Sequence, residues 1–260
     1  EVTKKKENLQ RIFILLGELD ALISLASFRE GGPAWQEPSL AKRGPYFRAV
    51  NLYYPFIKEP IPNSISLEST GAIITGSNMS GKSTFLRTVA TNALFAQTAC
   101  MCFADSYEGS FFKIMSSINK TDEPGKGKSY FLVEGEGLVK MVETLDDEIP
   151  SLFVIDEIFR GTNFVERVSA ATEFLLYLAQ KNALVAVASH DLEIAKLSSD
   201  LYQLFYFSEK VGEKEIEFDY QLKSGTVRTS NALKILKHLG FPGEIIEGAN
   251  QRAQKIINEK

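Results

Sequence analysis

The stretch TGSNMSGKSTF, residues 75–85, decides the fold expected for this chain. A β-favouring run, GAIIT at 71–75, precedes it, and a run without glycine or proline follows it. Strand, glycine loop and helix in this order let backbone N–H groups and a helix N-terminus converge on phosphate oxygens. The spacing G-x-x-x-x-G-K-S is that of a phosphate-binding loop, and it is formed by Gly76, Gly81, Lys82 and Ser83.

The chemistry of such a loop assigns roles to its side chains. Lys82 is expected to reach the β- and γ-phosphates of a nucleotide, and the Ser83 hydroxyl is expected to ligate Mg²⁺. The alternative is a glycine turn that arose by chance, which the flanking strand and helix disfavour. We therefore predict a nucleotide site in which the whole loop takes part: Gly76, Ser77, Asn78, Met79, Ser80, Gly81, Lys82, Ser83 and Thr84.

A second group of polar residues follows the apolar run SLFVID at 151–156. The run ends in Asp156, and Glu157 comes next. Because ligands collect at the carboxyl ends of strands in open α/β sheets, we expect both carboxylates near the phosphate loop. Asp156 would hold Mg²⁺, and Glu157 would orient and polarise the attacking water, since phosphoryl transfer depends mainly on metal charge and positioning. The alternative is a solvated acidic pair at a strand end.

A third polar group follows the next apolar run, ALVAVAS at 183–189. His190 comes directly after this run, at the edge where the other polar groups are expected. It could donate a hydrogen bond to the γ-phosphate or to the water. The alternative is an ordinary surface histidine.

Strand-like and helical runs alternate between residues 46 and 221. The apolar runs at 151–156, 183–189 and 201–208 are typical of strands covered on both faces. We therefore predict an α/β fold with a largely parallel central sheet. Apolar residues at helical spacing predict an N-terminal helix over 3–28 that packs into a core.

Composition limits the partners of the chain. Its 260 residues include 33 acidic and 29 basic residues, which give a net charge of −4. This balance does not favour the many phosphate contacts of non-specific DNA binding, so we expect weak or no DNA binding by this chain. The longest apolar stretch, 12–26, contains a glycine and two acidic residues, so no membrane segment is predicted. Cys100 and Cys102 are interpreted as buried reduced thiols, and we expect a cytoplasmic protein.

Together these motifs resemble the ATPase domain of the MutS family of DNA mismatch repair proteins, within the ABC ATPase superfamily. LDALISLASF at 19–28 is similar to the segment where the long lever helix of that family enters the ATPase domain, so the resemblance spans nearly the whole chain. The other segments that carry it are TGSNMSGKSTFLR (75–87), DEIFRGTN (156–163), ASHDLE (188–193) and YQLKSGTVRTSNALKILKHLGFP (220–242).

The resemblance implies a P-loop NTPase of ABC type that clamps ATP and Mg²⁺ between the two subunits of a homodimer. It divides the chain into a lever-helix end at 1–30, an ATPase domain at 31–222 and a C-terminal dimerisation extension with a helical pair at 223–260. It also implies that Ser129, in a loop that composition alone would call mobile, contacts the γ-phosphate bound by the other subunit.

The sequence departs from the family pattern at several positions. Tyr130 stands where a threonine is usual, and Phe159 stands where glycine is frequent. Tyr54 stands where a histidine is common, and it is the candidate for contact with the nucleotide base.

The function that the resemblance implies is ATP hydrolysis that drives DNA-engaging domains of a mismatch repair or recombination protein. An alternative is a nucleotide-gated dimerisation switch with negligible turnover, although Glu157 favours turnover. An ABC transporter ATPase is a weaker alternative, because the sequence lacks the Leu-Ser-Gly-Gly-Gln signature expected of that class.

Overall fold

The architecture was taken from a computed structural model of the chain, which describes residues 2–42, 44–118, 130–211, 216–226, 233, 236 and 240–258. Its helices are α1 (Val2–Gly31), α2 (Lys82–Ala99), α3 (Tyr130–Glu143), α4 (Phe164–Leu178), α5 (Leu192–Leu197) and α6 (Gly243–Asn258). Its strands are β1 (Ser39–Ala41), β2 (Tyr46–Leu52), β3 (Asn63–Glu68), β4 (Gly71–Thr75), β5 (Ser106–Ser110), β6 (Lys113–Ser117), β7 (Ser151–Asp156), β8 (Ala183–Ser189), β9 (Gln203–Tyr206), β10 (Glu209–Val211), β11 (Ile216–Phe218) and β12 (Lys223–Ser224).

A six-stranded sheet with the order β12-β9-β4-β8-β7-β6 forms the centre of the fold. Neighbouring strands from β9 to β6 pair in parallel, and β12 joins β9 antiparallel at one edge. The register places Thr75 opposite Ser189, and Asp156 opposite Ala188. The carboxyl ends of β4, β7 and β8 therefore lie side by side, which brings the loops that follow them to one edge of the sheet.

Two further sheets accompany the central one. One has the order β1-β5-β2-β3, with a parallel β1–β5 pair and antiparallel pairs elsewhere, and the other is the antiparallel ribbon β10-β11. The prediction of an α/β fold is confirmed. The sheets are mixed rather than uniformly parallel, since antiparallel strands are added around the parallel centre.

Two of the three apolar runs form strands that are buried on both faces, β7 and β8, whereas the third forms β9, which is only half-buried. In β7, Leu152 and Val154 face a cluster that contains residues of α2, whereas Phe153 and Ile155 face a cluster that contains residues of α4. Alternate side chains of a strand point to opposite faces, so helices on both sides require a continuous apolar sequence. This arrangement confirms the predicted strands at 151–156 and 183–189 and shortens the one predicted at 201–208 to β9.

The N-terminal helix α1 is present, but its apolar stripe is not buried in a core. Leu9, Ile12, Leu16, Leu19 and Ile23 are each more than half exposed. Its C-terminal part packs against the rest of the described chain, where the Phe28 ring lies 5.7 Å from that of Phe95. The prediction that the stripe packs into the core is therefore wrong, because periodicity reports an apolar face and not what covers it.

Two smaller expectations have separate outcomes. Cys102 is buried as predicted, whereas Cys100 is exposed, so its predicted burial is wrong. The second predicted tail helix is confirmed as α6, whose first turn includes a hydrogen bond from Ile246 N–H to Pro242 O. No helix in the described ranges is long and apolar enough to cross a membrane.

Candidate nucleotide site

The phosphate-loop motif joins the central strand β4 to α2. Gly76 and Gly81 have φ of 145° and 110°, conformations that favour glycine. A Cβ atom on Gly76 would lie 2.7 Å from the Phe207 carbonyl oxygen, and one on Gly81 would lie 3.2 Å from the ring of Tyr220. Space for a side chain is therefore absent at Gly76 and tight at Gly81, and the positive φ of both residues favours glycine.

Lys82 is the buried cation of this loop. Its ammonium donates to the carbonyl oxygens of Gly76, at 2.8 Å, and of Ser77, at 2.7 Å. Burial lowers the pKa of Lys82, and the negative charges of Glu157 and Asp156 partly oppose that effect. The side chain is thus held inside the loop, close to the carboxylates that follow β7.

Ser83 and Asp156 form a direct contact between the phosphate loop and the end of β7. The Ser83 hydroxyl donates to Asp156 Oδ2 at 2.5 Å, and Asp156 is buried. A hydroxyl and a carboxylate are oxygen donors of the kind that Mg²⁺ uses when substrate phosphates and waters complete its shell. No group of three His, Cys, Asp or Glu side chains in the described ranges is placed to hold a metal, so these two donors fit Mg²⁺ only as part of such a shell.

Glu157 follows Asp156 in a left-handed conformation, with φ of 64°. Its amide donates to Ala188 O at 2.9 Å, which fixes it against the end of β8. Its Oε2 atom lies 2.5 Å from Arg160 Nε and 3.2 Å from His190 Nδ1. Burial acts to raise the pKa of Glu157, but the hydrogen bond from His190 and the charges of His190 and Arg160 outweigh it, so the pKa lies below its ordinary value.

His190 is held between two acidic groups. The hydrogen bond with Glu157 raises the pKa of His190, and burial opposes this shift. Its Nε2 atom lies 3.6 Å from Asp191 Oδ1. Asp191 is itself held by Arg167, whose Nε and Nη2 atoms donate to the carboxylate at 2.8 and 3.2 Å. The histidine is therefore biased toward its charged form beside the Glu157 carboxylate.

A cavity of about 510 Å³ is lined by residues of the phosphate loop and by Asp156, Glu157 and Arg160, whereas His190 is not among its lining residues and approaches the site through Glu157. Lys82, Ser83 and both carboxylates line it together, and Tyr54 also contributes to its wall. The predicted base-contacting residue thus opens onto the same cavity as the phosphate loop. The other loop residues differ in placement. Four of them line the cavity: Asn78, Met79, Gly81 and Thr84. Met79 is also 83% exposed, whereas Ser80 is buried. The Ser77 hydroxyl donates to Glu209 at 2.7 Å.

Two residues of this site were not found by sequence reasoning. Tyr220 lines the cavity from a distant part of the chain, and Arg160 both lines it and pairs with Glu157. Both residues lie in segments that resemble the MutS family, and this resemblance was the one sequence signal that pointed to them. The sequence of these segments does not show which side chain enters the cavity. Ser129 lies outside the described residues.

The fold and site define an α/β protein with a phosphate-loop motif at the carboxyl edge of its central sheet. The sequence pattern of MutS domain V matches residues 72–257. The chain belongs to the MutS family.

Curated relatives cover almost the whole chain at low identity. The DNA mismatch repair protein MutS of Thermus thermophilus is 29% identical over 95% of this chain and 30% of its own length. The protein of the same name from Petrotoga mobilis is 28% identical over 97% of this chain and 32% of its own length. The one from Natronomonas pharaonis is 27% identical over 96% of this chain and 30% of its own length. The chain spans about a third of the length of these relatives.

Proposed function

We propose that this chain is a Mg²⁺-dependent ATPase of the ABC type that works as a homodimer and drives the DNA-engaging parts of a MutS-like protein. The observation that carries the proposal is the meeting of Lys82, the Ser83–Asp156 pair and Glu157 around one cavity. A buried cation, two oxygen ligands for Mg²⁺ and a carboxylate for water are the parts that nucleotide hydrolysis requires.

In the proposed complex, the phosphate end of the cavity binds the triphosphate of ATP. Lys82 and the N–H groups at the start of α2 supply positive potential there. Ser83 and Asp156 would hold Mg²⁺, which would supply positive charge that offsets the charge of the phosphates. Tyr54 and Tyr220, both in the cavity wall, supply aromatic surface for the adenine base.

Glu157 is the proposed catalytic carboxylate. Its low pKa keeps it ionised at neutral pH, so it can accept a hydrogen bond from the attacking water and orient it. His190 holds this carboxylate through Nδ1, 3.2 Å from Glu157 Oε2. Its other nitrogen lies 3.6 Å from Asp191 Oδ1, so a hydrogen bond from it to the reacting phosphate would require the ring to turn. Arg160 pairs with the same carboxylate oxygen of Glu157, Oε2, at 2.5 Å.

The assembly part of the proposal extends the site across two subunits. Ser129 of each subunit would contact the γ-phosphate bound by the other, residues 31–222 would form the ATPase domain, and residues 223–260 would strengthen the dimer. Residues 1–30 would transmit the nucleotide state toward the parts that bind DNA, in the cytoplasm. The mismatch repair names of the relatives support this role, and the net charge of −4 supports weak DNA binding by this chain itself.

A second candidate function is a nucleotide-gated dimerisation switch with negligible turnover. The pairing of Glu157 with both Arg160 and His190 favours it, because two cationic partners lower the basicity of the carboxylate. A carboxylate held in this way can sense nucleotide without activating water efficiently.

The substitution Glu157→Gln distinguishes the two functions. It keeps the size of the side chain and removes the carboxylate, so we expect ATP binding to persist and kcat to fall by about 100-fold or more. The measurements are steady-state hydrolysis at saturating ATP and equilibrium binding of a fluorescent ATP analogue, both with Mg²⁺. Lys82→Ala is expected to weaken binding itself.

The exposed Glu143, at the end of α3, provides a matched control because Glu143→Gln makes the same chemical change away from the cavity. Glu157→Gln turnover close to that of the unchanged chain would contradict the catalytic role. An unchanged chain that binds ATP and dimerises with it but does not hydrolyse it would favour the switch.

A further inference from the structure

A buried carboxylate on α3 is bonded to the turn that follows the proposed catalytic residue. Glu134 is 2% exposed. Its Oε1 atom accepts from the amide of Phe159 at 2.5 Å, and its Oε2 atom accepts from the amide of Arg160 at 3.1 Å. Hydrogen bonds to an ionised acceptor are among the stronger ones in proteins, and a buried carboxylate depends on them. We name this arrangement of Glu134 with the two amides the α3 clamp.

Close packing reinforces the α3 clamp. A Cβ atom on Gly161 would lie 2.9 Å from Phe131 Cβ and 3.1 Å from Phe131 N, so the backbone at Gly161 lies directly against the first turn of α3. The rings of Phe131 and Phe159 lie 5.7 Å apart. The start of α3 and the turn at 158–161 are therefore joined by both polar and apolar contacts.

The turn that the clamp holds has an unfavourable backbone. Glu157 and Phe159 both have left-handed conformations, with φ of 64° and 59°, which side-chain-bearing residues rarely adopt. Such conformations persist when surrounding contacts over-determine them, and they concentrate at functional sites. The turn also presents Arg160 to the Glu157 carboxylate. A change in the backbone path of this turn would therefore move both Glu157 and Arg160.

We propose that Glu134 is a positioning residue for ATP hydrolysis: by binding the amides of Phe159 and Arg160, it fixes the turn that aims the Glu157 carboxylate at water. This inference rests on the proposed function. Because Glu134 lies in the first turns of α3, the position of this helix and the orientation of the carboxylate are coupled. A displacement of α3 changes the geometry of Glu157 without any change in the nucleotide-binding loop.

The substitution Glu134→Gln tests the role with little change in shape. Its amide oxygen can accept from one backbone N–H, whereas its NH₂ group faces the other donor. We expect kcat to fall by about 10-fold to 100-fold, the effect of a small misplacement of a catalytic group, with KM and ATP binding unchanged. Glu143→Gln, at the exposed end of the same helix, is the matched control and is expected to leave kcat unchanged.

A double variant separates positioning from general damage. If Glu134 acts through Glu157, adding Glu134→Gln to Glu157→Gln causes little further loss of kcat, since groups that act as a unit are not additive. Full additivity of the two losses would overturn the proposal. A rise in KM equal to the loss in kcat/KM would overturn it as well, because that result indicates lost binding.

Hydrogen exchange makes the clamp testable without turnover. Glu134→Gln is expected to speed exchange of the Phe159 and Arg160 amides more than that of amides elsewhere in the fold, and Glu143→Gln is not. Unchanged exchange in Glu134→Gln would overturn the clamp whether or not the chain hydrolyses ATP. Absent hydrolysis by the unchanged chain would contradict the ATPase proposal and the catalytic consequence of the clamp, while exchange would still decide whether the clamp exists.

A second variant covers the case in which Glu134→Gln does not fold. Gly161→Ala places a methyl group against Phe131 and separates the turn from α3 while leaving the buried carboxylate in place. We expect the same loss of kcat at unchanged ATP binding. A folded Gly161→Ala chain with normal kcat would contradict the coupling.

Discussion

At the scale of single residues, Glu157 and His190 set each other's titration. Glu157 holds the pKa of His190 above its ordinary value of 6.5, and burial opposes the shift. The charged groups that face His190 are Glu157, Asp191 and Arg167, of which the first two favour its protonation. The protonated histidine is thus stabilised by the folded state.

A pH dependence of stability follows from this pair. Because the folded-state pKa of His190 is raised, its stabilisation is fully present below pH 6.5 and is lost as pH rises through the folded value. We expect His190→Gln to reduce the free energy of unfolding more below pH 6.5 than in alkaline solution. Urea unfolding of both chains over a pH series measures the difference, and a difference that is constant with pH, or that grows with rising pH, would contradict the pairing.

The residue types of the candidate site were predictable, and their partners were not. Five of the predicted residues lie at or after the carboxyl ends of β4, β7 and β8: Lys82, Ser83, Asp156, Glu157 and His190. The parallel register of these strands brings them to one edge of the sheet, as predicted. Arg160 and Tyr220 required the fold, because which side chain of a loop turns inward depends on backbone geometry that has no local signature. The roles assigned to all of these site residues stay predictions.

At the scale of elements, α3 contains a helix-weakening residue next to the clamp. Gly135 lies inside α3, and a Cβ atom built on it meets nothing within 4 Å. We expect Gly135→Ala to stabilise the chain by roughly 0.5–1 kcal/mol, because alanine restricts the unfolded chain and favours helix. Urea unfolding measures this change.

The contrasting variant is Gly71→Ala in β4. Gly71 has φ of 116°, and a Cβ atom on it would lie 1.9 Å from Val185 O. We expect a destabilisation of about 1–3 kcal/mol from backbone strain, with the steric overlap adding to it. Equal effects at the two glycines would contradict the distinction between open and closed positions.

Burial was predicted correctly for strands that helices of this chain cover, but not for α1. β7 and β8 have continuous apolar sequences because helices of the same chain cover both faces, so pattern and burial agree. In α1, apolar residues at helical spacing predicted a helix correctly and its burial wrongly. Hydrophobic periodicity fixes the conformation of a segment, whereas burial depends on which surface lies opposite.

At the scale of the whole molecule, the proposed composite site predicts nucleotide-dependent association. Only ATP presents a γ-phosphate to Ser129 of a second subunit, so ATP should promote dimers more than ADP. Glu157→Gln should prolong them by slowing hydrolysis. Ser129→Ala should weaken the ATP-dependent dimer by about 1–3 kcal/mol, the scale of a lost charge-assisted hydrogen bond. Sedimentation velocity with each nucleotide measures the association.

The comparison between nucleotides provides the control. A dimer that forms equally with ATP, with ADP and without nucleotide would contradict the composite site and would place the association on another surface. A dimer that depends on ATP but is unaffected by Ser129→Ala would retain the ATP-gated assembly and remove Ser129 from it.

The strand order also determines which parts of the central sheet are stiff and which deform more easily. β4, which leads into the phosphate loop, is held along both edges by β8 and β9, whereas β6 ends the described sheet with β7 as its one neighbour. α3 contacts β6. Segments with fewer supporting contacts yield first, so the sheet is stiff at the phosphate loop and compliant toward α3. In the proposed ATPase, a force generated around the phosphates would therefore meet a stiff support at β4 and would displace the α3 side.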